Sequence, residues 1–106
     1  MSVLLKNNAA SNLSVAISAR DQFIKLGVGH GARFPQPSST GDWFPLTLQN
    51  DSGKIEIVHA TARTGDEIKV RRGAEDTVAI AFSAGDTVEL RLTVAALLEL
   101  TGHTQP

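Results

Sequence analysis

The stretch Glu56-Ile57-Val58-His59-Ala60-Thr61-Ala62-Arg63-Thr64-Gly65-Asp66-Glu67-Ile68-Lys69-Val70-Arg71-Arg72-Gly73 decides the fold class of this chain. In an extended chain, side chains at every second position share a face. With Ile55 before it, the first half places Ile55 and Ile57 on one face and Glu56, Val58 and Ala60 on the other, the period of a half-buried strand rather than a helix. Thr64-Gly65-Asp66 is a turn, and Glu67 to Arg71 repeats the alternation with Ile68 and Val70 inward.

The pattern continues in both directions. Downstream, Asp86 to Leu92 is a strand with Val88, Leu90 and Leu92 on one face and Glu89 and Arg91 on the other. Between Gly73 and Gly85 it weakens. There Val78, Ile80 and Phe82 recur at every second position among alanines, which fits a short strand or a helical turn. Upstream, Trp43, Phe44 and Pro45 lead into Leu46-Thr47-Leu48. The polar connection Gln49 to Gly53 then joins this strand to Lys54 through Arg63 as an antiparallel hairpin. Leu13, Val15 and Ile17 alternate with Ser14, Ala16 and Ser18 as a further strand, and Arg20-Asp21-Gln22 turns into a short strand at Phe23 to Leu26. Gly27 to Asp42, rich in Gly, Ser and Pro, is a long irregular connection, and loops of that length are commonly functional or contact a partner.

The C-terminal end changes period. Val94, Leu97 and Leu98 recur at helical spacing over Val94 to Leu100, Thr93 is placed to cap the first turn and Gly102 to end the helix, and 101–106 is a flexible tail. A helix of about two turns is marginal alone and must pack on something. It is either a lid over the open end of the β structure or a self-association surface through Val94, Leu97 and Leu98.

Composition bounds the function classes. A chain of 106 residues is one domain by length, 1–106, with 1–12 as an N-terminal arm. Hydrophobic residues at 42% and charged residues at 20% argue for a globular domain. A net charge of −1 supplies no general field for nucleic acid or an anionic membrane, and Arg71-Arg72, the adjacent basic pair, reads as solvated surface. Cysteine is absent, so disulfides and thiolate metal sites are excluded. Val3-Leu4-Leu5 is too short for a signal h-region, and no run of about 18 apolar residues occurs, so the expectation is a soluble chain without a Sec leader.

No constellation reads as a catalytic site. Gly27-x-Gly29-x-Gly31 lacks the strand, helix and glycine spacing of a dinucleotide loop, and Pro35 follows soon after, so it reads as a turn-rich surface loop and no cofactor is expected. His30, His59 and His103 have no local metal-ligand spacing, so no metal is expected, and His59 reads as a sheet-surface residue. No nucleophile elbow surrounds any serine. Asp66, Glu67, Asp86 and Glu89 fall at strand ends or turns, where an Asp after Gly satisfies turn backbone. Phe34, Trp43 and Phe44, beside the Gly/Pro/Ser loop, are the candidate partner contacts; packing over the end of the core is the competing reading.

The order of residues resembles a short domain found in many tailed-bacteriophage structural proteins. The likeness rests on Glu56-Ile57-Val58, Thr61-Ala62-Arg63, Gly65-Asp66, Val70, Arg72-Gly73, Glu75, Thr77, Ala79, Phe82, Ala84-Gly85-Asp86, Val88-Glu89-Leu90-Arg91, Thr93 and Leu97. Upstream, Leu5 to Ala9, Arg33-Phe34-Pro35, Phe44 to Leu48 and Asp51-Ser52-Gly53 extend it over nearly the whole chain. The family usually has Gly after Glu75, where this chain has Asp76; glycine tolerates positive φ more readily than Asp does. The resemblance implies a non-enzymatic virion protein made in the host bacterial cytoplasm. Its role would be a tail, neck or head-attached adaptor or appendage, a homo-oligomer on the pattern of trimeric fibrous phage proteins, with other virion proteins as partners. A capsid decoration protein and a carbohydrate-binding module contacting the host surface are the alternatives. In longer relatives such a domain precedes fibre sequence, and the short run after Leu100 favours an adaptor or decoration subunit. The fold expected is mainly β, a small antiparallel sandwich or partly open barrel with a short C-terminal helix.

Overall fold

A computed structural model describes residues 2–101. In chain order its elements are β1 (Ala10–Asn12), β2 (Phe23–Lys25), a 3-10 turn (His30–Arg33), β3 (Phe44–Gln49), β4 (Ile55–Thr64), β5 (Glu67–Ala74), β6 (Thr87–Glu89) and α1 (Val94–Leu100). The six strands make one antiparallel sheet in the order β1-β6-β3-β4-β5-β2. An antiparallel bridge between Leu13 and Leu26, with the Ser14 N–H on the Lys25 carbonyl at 2.8 Å, brings the ends of the sheet together. The molecule is thus mainly β, a curled sheet forming a partly open barrel with a short C-terminal helix, as the alternation predicts.

The central hairpin forms as an antiparallel pair, as expected, with a register running from Phe44 opposite Ala60 to Gln49 opposite Ile55. Its turn is held by the Asn50 side-chain oxygen, which accepts the Ser52 and Lys54 N–H groups at 3.0 Å each. Two register shifts between β4 and β5, at Ile57/His59 and Ala60/Ala62, add the local bend and twist that a curling sheet needs.

Other segments depart from the alternation. Leu13 and Ile17 are buried and Val15 is exposed, but they form isolated bridges to Leu26 and Phe82 rather than a strand, because the chain there crosses the end of the barrel. Apart from the Phe82 bridge, Thr77 to Ala81 is neither strand nor helix. The strand expected over Asp86 to Leu92 pairs only at Thr87–Glu89, and Leu92 faces out. The N-terminal segment is no free arm: Val3 bridges Trp43 and Ala10–Asn12 is β1. Gly102 and the tail from His103 lie outside the described residues.

The barrel interior holds an ion pair. On β4 the inward face is Glu56, Val58 and Ala60, each 0% exposed. Arg72 of β5 turns inward to meet Glu56, donating from Nε to Oε2 at 2.8 Å and from Nη2 to Oε1 at 2.9 Å. Its remaining donors reach the carbonyls of Ser18 (2.7 Å), Asp21 (2.8 Å) and Ile80 (2.6 Å), which satisfies every N–H of the guanidinium. Glu56 also accepts the backbone N–H groups of Gly73 and Ile80. Burial pushes its carboxyl up, but the bonds from Arg72, Gly73 and Ile80 and the guanidinium charge outweigh this and hold it below the ordinary carboxylate range. The reading of Arg71-Arg72 as solvated surface therefore holds for Arg71 alone; Arg72 ties two loops, the Ser18–Asp21 turn and the segment at Ile80, to the sheet.

The glycine loop also has a structural explanation. Asp66 reaches across the fold and accepts the N–H groups of Gly29 (3.0 Å) and Gly31 (2.8 Å), which lower its pKa. A carboxylate of the same chain thus takes up the two loop N–H groups, of Gly29 and Gly31, that would otherwise be open to an outside anion. A Cβ at Gly31 would collide with the Gly65 carbonyl, so this close approach requires glycine. Asp86 behaves as expected, its carboxylate accepting the Ser83 N–H within its own turn at 2.8 Å.

Candidate functional site

The three aromatics expected to share a contact surface are divided between two faces of β3. Phe34 and Phe44 stack on each other inside the barrel, centroids 6.3 Å apart, and are fully buried. They are core residues and offer a partner no surface, because Phe44 falls on the inward face with Leu46 and Leu48. Trp43 points outward and is 8% exposed, its ring over the imidazole of His59 at a centroid distance of 4.1 Å. A sugar-binding platform made of all three rings is absent from this arrangement.

His59 is the first member of a relay that the alternation does not reveal. Its Nε2 lies 2.8 Å from Oε2 of Glu75, and Oε1 of Glu75 accepts the N–H of Ala95 in the first turn of α1 at 3.0 Å. Burial raises the Glu75 pKa, but the bonds from His59, the Ala95 N–H and the Thr93 hydroxyl, with the His59 charge, hold it below its ordinary value. Glu75 and Asp76 sit at φ 53° and 67°, and the Thr77 N–H closes onto the Ala74 carbonyl at 3.0 Å. Positive φ at both central residues is the pattern of a type I′ turn, normally supplied by Asn and Gly. Asp76 thus adopts the left-handed conformation that Gly, usual in the resembled family, takes freely. Non-glycine residues held there by tertiary bonds cluster at functional positions, and here both oxygens of Glu75 make such bonds. The sequence clue was the Glu75-Asp76 pair in a turn position that favours glycine.

The relay holds α1 on the outside of the barrel. The helix spans the residues its periodicity predicts, Val94–Leu100, and Thr93 caps it by accepting the Ala96 N–H at 3.3 Å. It buries only Ala96; Val94, Leu97 and Leu98 are 72%, 48% and 47% exposed, and Leu100 is equally open. A lid would cover its apolar face, so this helix is not one. Val94 and Leu98 line a depression of about 590 Å³ with Ile55, Ile57 and Leu92, and Ile55 and Leu92 are exposed too. Of the three predicted self-association residues, Val94 and Leu98 thus share one outward apolar depression, and Leu97 is exposed next to Leu98 in the helix.

A second cavity, of about 420 Å³, lies between the Ser39–Asp42 segment, Trp43, His59, Arg71 and Glu99 of α1. Among the described residues, no group of three or more His, Asp or Glu side chains is arranged to hold a metal ion, and no helix is long and apolar enough to cross a membrane. No protein-family model matches the chain, and no curated protein sequence matches it.

Proposed function

We propose that this chain is a non-enzymatic structural subunit of a tailed-bacteriophage virion. It serves as a tail, neck or head-attached adaptor or appendage and oligomerises through the outer face of α1. The observation that carries the reading is the contrast within the C-terminal segment. Val94 and Leu98 line an apolar depression with Ile55 and Leu92, Leu97 and Leu100 are also exposed, and a strained carboxylate, Glu75, fixes the helix in that orientation. Contiguous exposed apolar surface on a soluble domain marks an interaction site, and holding it in a defined pose reduces the ordering cost of association. The likeness of the sequence to phage structural domains supplies the biological setting.

Contacts to other virion proteins fall to the exposed parts of the Gly27 to Asp42 segment and of the N-terminal residues before β1. The cavity beside Trp43 adjoins the first of these. Mass spectrometry with copy counting on purified virions, followed by cryo-microscopy, tests the proposal. A few to a few dozen copies at the tail or neck support the adaptor, hundreds over the head point to capsid decoration, and absence from the particle overturns the reading.

A further inference from the structure

Next to the buried arginine lies a groove whose charge neither the fold nor the assembly surface uses. It has a volume of about 620 Å³ and is lined by Arg20, Gln22, Thr61, Lys69, Arg71 and the backbone around Val70 and Arg72. Arg20, Lys69 and Arg71 are exposed, none makes an ion pair among the described residues, and no acidic residue lines the groove. Like charges gathered without counter-ions raise each other's energy, so the cluster favours an anion from outside.

The groove is also held in shape. Arg72 beneath it bonds the Ser18 and Asp21 carbonyls, which fixes the turn carrying Arg20 against β5. The Val70 N–H on the Gln22 carbonyl, at 2.8 Å, ties the same wall to the floor. Lys69 and Arg71 are alternate residues of β5, on the face opposite buried Ile68 and Val70, so they project from the outer face about 6.6 Å apart.

The ends of the groove limit what it can take. Glu67 stands on the same outward face two residues before Lys69, and Asp42 and Glu99 line the adjoining cavity that Arg71 also borders. A long polyanion would run into carboxylates at either end, on a chain of net charge −1. A short extended peptide carries side chains at the same spacing of about 6.6 Å and ends where the positive surface ends. We infer that this groove docks an extended acidic segment of a partner protein, with Asp or Glu at alternate positions facing Lys69 and Arg71 and a further carboxylate reaching Arg20.

The inference names a partner chemistry for the assembly reading and rests on it only for the existence of a protein partner. Its test uses the isolated protein and fluorescence anisotropy with a capped peptide bearing glutamates at alternate positions. Wild type binds this peptide, and rising salt weakens it because the groups are exposed. Lys69→Glu with Arg71→Glu lowers affinity at least about tenfold, two attractions becoming repulsions. Lys54→Glu, one such charge reversal placed in the β3–β4 turn, leaves it unchanged. Should the double reversal fail to fold by circular dichroism, Lys69→Gln with Arg71→Gln replaces it, with a loss of about threefold. Equal binding by the groove variants, equal binding of a peptide of the same composition with its glutamates adjacent, or tighter binding of a single-stranded oligonucleotide would overturn the inference. So would no binding by wild type. A chain that binds the peptide yet is missing from virions leaves the groove standing and removes the phage setting.

Discussion

Two regions of the molecule reverse the usual placement of residue types, and they do so for different ends. Inside the barrel, a glutamate and an arginine occupy positions where apolar residues would be expected, and every polar atom of the pair is bonded. Outside, α1 turns valine and leucine toward water, held by one carboxylate and one hydroxyl at its first turn. A buried charge is tolerated only where the fold supplies its partners, so the Glu56–Arg72 pair specifies how the loops meet the sheet. Exposed apolar surface gains nothing in the isolated chain and becomes favourable when it is covered. The first region belongs to folding and the second is the one proposed for association, and substitutions should separate them.

The largest effect is expected at Arg72. Arg72→Ala leaves Glu56 buried without its cation and frees three carbonyls, a loss of about 3–5 kcal/mol in urea unfolding. The difference from wild type should narrow in acid. Glu56 has a folded pKa below its unfolded value, so its contribution is complete above the unfolded value, about 4.3, and is lost as pH falls through the lower folded one. A gap that stays constant to low pH would mean that the charge pair is not the source of the stability.

Glu75→Ala comes next. Removing its bonds to His59 and the Ala95 N–H should cost about 1–2 kcal/mol and speed amide exchange across Val94–Leu100, while β3 and β4 keep their protection. Uniform loss of protection would show that α1 and the barrel are one cooperative unit. Asp76→Gly works the other way, since glycine relieves the cost of φ 67° but loses more entropy on folding. A net gain of about 0.5 kcal/mol is expected, read as a higher urea midpoint. Leu97→Asp should alter the stability of the monomer least, within about 0.5 kcal/mol, because the side chain is half exposed. It should nevertheless lower the molecular mass seen by light scattering, and an unchanged mass would take the association role away from α1.

Much of the fold was legible because neighbouring residues encode it. The β3–β4 hairpin follows from alternation around a polar turn, β5 from the Gly65-Asp66 turn, and α1 from a shift to helical spacing behind Thr93. The choice of inner face on β4 was not legible. Alternation divides Ile55 and Ile57 from Glu56, Val58 and Ala60, yet the face with the charge is the buried one, and its partner Arg72 lies on another strand. Local pattern carries no record of such a tertiary pairing. The same limit separated Trp43 from Phe44: adjacent residues of a strand must face opposite ways, so a cluster of aromatics in sequence cannot be one cluster in space. Helical periodicity groups the residues proposed for self-association, but their outward orientation depends on Glu75, whose bonds span distant parts of the chain.

The contact between Leu13 and Leu26 has a consequence for crowded settings. Open sheets polymerise through unpaired margins, where any passing strand finds ready donors and acceptors. Here the first and last strands of the sheet turn toward each other, and the backbone groups joined at that seam are withdrawn from such recruitment. A domain built this way can be packed at high local concentration with its associations directed by side-chain surfaces, which have a defined geometry and stop at a fixed number of copies, rather than by strand addition, which does not.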